Sequence, residues 1–67
     1  MDNRIEALRK GRGLTQQDLA RHLGVSRQTI ISLENGKYNP SILLAHSIAA
    51  FFDSTIEEVF IFEEGTK

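Results

Sequence analysis

A chain of 67 residues that is 40% hydrophobic and 25% charged has room for one small globular core, and its size excludes the scaffolds on which most enzymes are built. It has no Cys and only two His, so neither disulfides nor a structural zinc is available as a staple, and a monomer of marginal stability is expected. The net charge of −1 speaks against a polyanionic partner only as an average: residues 1–40 carry seven basic against four acidic side chains, and residues 41–67 carry one basic against five acidic.

The helical pattern begins near Asn3 and runs to Lys10 with Ile5 and Leu8 on one face, and Gly11 and Gly13 end it. This N-terminal stretch is charged at Asp2, Arg4, Glu6, Arg9 and Lys10 and has no apolar signal core. With no apolar run of membrane-spanning length, a cytoplasmic protein without membrane contact is expected. Leu14 enters the core, and Thr15 with Asp18 approximates a capping box for a second helix with Leu19, Ala20 and Leu23 as its buried stripe. Gly24 stops that helix. Ser26 caps a third, in which Ile30 and Leu33 face inward, and Gly36 follows its end at Asn35.

Residues 37–40 form a loop, because Pro40 bars Asn39 from helix. Ser41 caps a fourth helix whose apolar stripe is Ile42, Ala45, Ile48, Ala49 and Phe52, ending near Asp53. Thr55 and Glu58 make a capping box for a short fifth helix with Ile56 and Val59 inward. The run Val59–Glu63 is β-branched and aromatic, which predicts a short terminal strand in need of a partner.

The segment 16–35 carries the functional signal. Ala20 is small where two helices cross closely, Gly24 admits a left-handed turn between them, and Ile30 packs beneath. Leu19, Leu23, Val25 and Leu33 fill the other inward positions of a helix-turn-helix. The segments Leu14-Thr-Gln-Gln-Asp-Leu-Ala20, Leu23-Gly-Val-Ser-Arg-Gln-Thr-Ile30 and Leu33-Glu-Asn-Gly-Lys-Tyr-Asn-Pro-Ser41 resemble the Xre or Cro/repressor helix-turn-helix regulators, from Arg9 to Phe60 without insertion. The resemblance implies an all-α, five-helix repressor-like domain over residues 1–60, with a C-terminal strand or tail at 61–67 used in dimerisation. It also implies that the third helix enters the DNA major groove while the second lies across the backbone.

In such a recognition helix, Arg27, Gln28, Thr29 and Ser32 project toward the bases. Arg pairs with guanine, Gln pairs with adenine, and a Thr methyl meets a thymine methyl. Ile31 either touches a thymine methyl or is a lone exposed apolar residue. Gln16 sits at a helix start that favours phosphate, and the Gln after the Thr contacts the DNA backbone in the family. Gln17, Arg21, Asn35, Lys37 and Tyr38 flank the same surface as phosphate contacts, and Arg12 with Lys10 adds to the basic rim. The resemblance further implies an ion pair between Arg9 and Glu34 that fixes the recognition helix.

The remaining residues point away from chemistry. His22 and His46 have no Cys or carboxylate at metal-ligand spacing, no nucleophile stands in a strained turn, and no Gly-rich phosphate loop follows a strand, so no metal, cofactor or catalysis is expected. Nothing in the pattern calls for a small-molecule effector. The aromatic end instead points to assembly: Phe51, Phe60, Ile61 and Phe62 exceed what one small core can cover, and small regulators of the resembled family commonly dimerise through this end. The expectation is a homodimeric, sequence-specific transcriptional regulator, a repressor on a two-fold operator in double-stranded DNA. The alternatives are a protein-interaction adaptor of the transcription machinery, or an antitoxin or restriction controller of the same fold.

Overall fold

The computed structural model describes residues 2–61. Five helices follow one another: α1 (Ile5–Gly11), α2 (Gln16–Leu23), α3 (Arg27–Glu34), α4 (Ile42–Phe51) and α5 (Ile56–Val59). The starts of α2 to α5 lie where hydroxyl side chains take up free backbone N–H groups. Thr15 accepts from the Asp18 N–H and Thr55 from the Glu58 N–H, each returned as a full capping box, while Ser26 and Ser41 cap α3 and α4.

The four longer helices stop in the same way. After α2, the Val25 N–H reaches back to the Ala20 carbonyl and Gly24 takes φ 72°, a left-handed turn that costs glycine nothing. After α4 the left-handed position is Asp53, at φ 56°, with the Ser54 N–H bonded to the Ala49 carbonyl at 2.8 Å. A non-glycine residue there carries a small steric cost, which Asp bears more readily than most side chains. The fourth helix therefore ends two residues earlier than its apolar stripe predicts.

The core gathers Ile5, Leu19, Ala20, Ile30, Leu33, Ala45, Ile48, Ala49, Phe52, Val59 and Phe60. Most of these follow from the three-and-four spacing of apolar residues, with one departure. Ile42 begins the predicted stripe of α4 yet is 72% exposed, because the first turn of that helix overhangs the core.

The chain ends differ from expectation. α1 starts at Ile5, since Asn3 is held in an antiparallel bridge with Phe60, flanked by the Arg4 N–H on the Val59 carbonyl and the Ile61 N–H on the Asp2 carbonyl, both at 2.8 Å. The predicted strand is not formed as such: Val59 closes α5, Phe60 makes that single bridge, and Phe62 and Glu63 lie outside the described residues. The β-like composition of the segment reflects burial instead of a strand ladder, for Val59 is fully buried and Phe60 is 2% exposed.

Candidate nucleic-acid interface

The site is built around α3. Its C-terminal end is anchored by Glu34, whose carboxylate accepts from Arg9 Nε at 2.7 Å and Nη2 at 3.3 Å and from Gln16 Nε2 at 3.1 Å. Arg9 spends its remaining reach on the Leu14 carbonyl at 2.8 Å. One carboxylate thus ties α1, the start of α2 and the end of α3 together out of solvent. The same carboxylate raises the pKa of the Arg9 guanidinium by hydrogen bonding to its charged form. Beside DNA this matters, because a bidentate Arg neutralises a Glu that would otherwise repel phosphate.

The N-terminal end of α3 is the part offered outward. Arg27 and Gln28 are exposed, and Thr29 and Ser32 are half-buried on the same helix. The Thr29 hydroxyl lies 3.0 Å from Ser26 Oγ and so is occupied with the helix cap. Ile31 is half-buried, neither a core residue nor fully in solvent.

The flanking residues divide. Gln17, Asn35, Lys37 and Tyr38 are exposed, Tyr38 at the turn after α3. Arg21 is exposed but holds Asp18 at 2.6 Å; such a surface pair is worth about 0–1 kcal/mol and yields readily to a phosphate. Asp18 itself is held below the usual carboxylate range, first by the Thr15 backbone N–H that it accepts and then by the Thr15 side chain.

Arg12 is a departure from the expected basic rim. Its guanidinium donates to the Phe51 carbonyl at 3.0 Å and lies over the rings of Phe51 and Phe52, 5.6 and 5.3 Å from their centroids. His22 covers Phe51 from another side, with ring centroids 5.1 Å apart. Phe51 is therefore half-buried within its own chain, and Phe60, at 2% exposure, is a core residue with no free face for a partner. Nothing in the sequence signals a contact across 39 residues such as Arg12 with Phe51. Ile61 is 43% exposed, and Phe62 lies outside the described residues. Among the described residues no group of His, Asp or Glu is placed to hold a metal, and no helix is long and apolar enough to cross a membrane.

Residues 5–59 match the helix-turn-helix family model. The chain belongs to the Xre-like helix-turn-helix family. This helix-turn-helix chain is 55% identical over 64 residues to an uncharacterized HTH-type transcriptional regulator of Methanocaldococcus jannaschii, covering 96% of itself and 97% of that protein. It is 36% identical over 66 residues to the immunity repressor protein of Bacillus phage phi105, covering 91% of itself and 46% of the repressor. Among solved structures it is similar to the SinR protein/SinI protein complex, with a TM-score of 0.77 and 28% identity, over 96% of this chain and 63% of that one. The helix-turn-helix chain is a transcriptional regulator of a DNA-binding, non-enzymatic class.

Proposed function

We propose that this regulator binds a two-fold symmetric operator as a homodimer and represses transcription there. Arg27 and Gln28 read base edges from the first turn of α3, with the Thr29 methyl and Ser32 completing the readout. Gln16, Gln17 and Arg21 from α2, and Asn35, Lys37 and Tyr38 after α3, grip phosphates and set the register.

The observation that carries this reading is the anchoring of α3 at one end only. Its C-terminus is locked to α1 and α2 through Glu34, while Arg27 and Gln28 at its N-terminus have no partner-bearing role in the fold and stand in solvent. A rigidly held helix with free Arg and Gln at its leading end suits groove reading, since the ordering cost is already met before DNA arrives. Two relatives are named as repressors, the phage phi105 immunity protein and the competence pilus inhibition repressor of Acinetobacter baylyi, and one as an activator, BcrR of Enterococcus faecalis; the small size of the chain favours repression by occupancy.

Titration of a labelled duplex pool at several salt concentrations tests the reading. The logarithm of the binding constant should fall by about 0.9 per phosphate contact for each tenfold rise in salt. Binding insensitive to salt, or no binding to duplex at low salt, contradicts it.

A further inference from the structure

We infer that the exposed face of α4 is the surface through which two copies of this chain associate, the helices crossing antiparallel about a two-fold axis at His46. This rests on the homodimer proposed above and assigns its interface.

α4 is the one helix among those described without a charged side chain, Ile-Leu-Leu-Ala-His-Ser-Ile-Ala-Ala-Phe. Its inner face fills the core through Ala45, Ile48 and Ala49, while its outer face leaves Ile42 at 72% and Leu43 at 78% exposure. Every other helix turns at least one charge to solvent: Glu6 and Lys10, Arg21, Arg27, and Glu57 with Glu58. Two large aliphatic side chains standing free at the start of a charge-free face are what a monomer avoids and an interface core contains.

Charge matching selects the occupant. A charged side chain laid against Ile42 and Leu43 would lose water and find no counter-charge on α4, so an uncharged partner surface fits there. Among the described helices, α4 alone presents such a surface, which makes a second copy the fitting partner. A closed two-fold contact of a patch with itself is also the commonest form of small oligomer.

Shape points the same way. Ile42, His46 and Ala50 follow one another at four-residue intervals along the helix, large at one end and small at the other. An antiparallel partner centred on His46 sets Ile42 of each copy against Ala50 of the other. There the open groove of about 480 Å³ between α4 and α5, lined by Ala49, Ala50 and Ile56 among others, with Glu57 of α5 as its one charged residue, receives the aliphatic side chain. Reversing the register would oppose large to large and small to small.

The chain contains no Cys, so single Cys variants report the register directly. In non-reducing gels after mild oxidation, His46→Cys should cross-link to itself nearly completely. Ala50→Cys should not, because the two copies of position 50 lie about 12 Å apart along the helices and a disulfide needs Cα atoms within about 7 Å. A mixture of Ile42→Cys and Ala50→Cys should give the mixed dimer. In sedimentation velocity, Ala50→Glu should raise the dimer Kd by about 100-fold or more, with helix content unchanged by circular dichroism. Removing residues 62–67 should leave the dimer intact.

A wild-type chain that sediments as a monomer at every concentration overturns both the homodimer reading and this surface. A dimeric wild type in which His46→Cys stays uncross-linked and Ala50→Glu stays dimeric overturns the surface alone. A dimer lost on removing residues 62–67 but kept in Ala50→Glu hands the interface, and the groove, to the C-terminal segment.

Discussion

Glu34 and Gln16 are joined by a 3.1 Å hydrogen bond that no spacing rule foretells, eighteen residues apart and on different helices. The Glu34 oxygen that accepts from Gln16 also accepts from Arg9 at 3.3 Å, so the first residue of α2 and the last of α3 share one anchor. In the proposed complex the second amide N–H of Gln16 would meet a phosphate, at a helix start whose dipole favours an anion. α2 and α3 are thus set relative to one another by one buried carboxylate.

The first prediction concerns that anchor. The side chains of Arg9 and Glu34 are 9% and 5% exposed, so Glu34→Ala strands a buried guanidinium and should destabilise the chain by about 3–5 kcal/mol in urea unfolding. The double variant Arg9→Met/Glu34→Leu removes both charges and should recover most of that loss. A single variant within about 0.5 kcal/mol of wild type would show that the pair contributes nothing to stability.

The second concerns pH. The Asp18 carboxyl is held below its usual value by the Thr15 N–H, so the folded chain binds fewer protons there than the unfolded chain. The resulting stability is complete above the unfolded value of about 3.9 and is lost as pH falls through the lower folded value. Asp18→Asn should accordingly melt below wild type at neutral pH, and the gap should close as melts are repeated toward about pH 2. A gap that stays constant over that range assigns the loss to something other than the charge.

The third concerns Phe60. At 2% exposure it is a core side chain of the single chain, so Phe60→Ala should cost about 3–5 kcal/mol of unfolding free energy. The milder Phe60→Leu should keep the sedimenting mass of wild type. A folded Phe60→Leu that changes mass would return this residue to an interface.

The fourth concerns the reading residues. Arg27→Ala should weaken binding to the preferred duplex by about 1–3 kcal/mol in anisotropy titrations and barely alter binding to random duplex. Equal losses on both would make Arg27 a phosphate contact.

Local chemistry made most of the fold legible. Thr15, Ser26, Ser41 and Thr55 mark the helix starts because a hydroxyl at that position answers a local need of the backbone, and Gly24 and Gly36 mark ends for the same reason. What escaped the sequence depends on distant geometry. Periodicity places Ile42 in the α4 stripe, but whether the first turn of a helix lies over the core is decided by its length and docking. The aromatic surplus at Phe51 and Phe60 is real, yet Arg12 and His22 cover part of Phe51 and the core takes in Phe60 beside the N-terminal segment. In the candidate site, Arg27 and Gln28 are legible by their place in the motif, whereas the engagement of Thr29 with Ser26 and of Gln16 with Glu34 needs coordinates.

The central claim, that a symmetric pair of recognition helices reads a specific sequence, is tested most directly by selecting bound fragments from a random duplex library with the 67-residue chain. The expected outcome is an enriched two-fold symmetric site whose half-sites are centred about one helical turn, roughly 34 Å, apart, with a contacted guanine in each. A pool that stays random after repeated rounds contradicts the account.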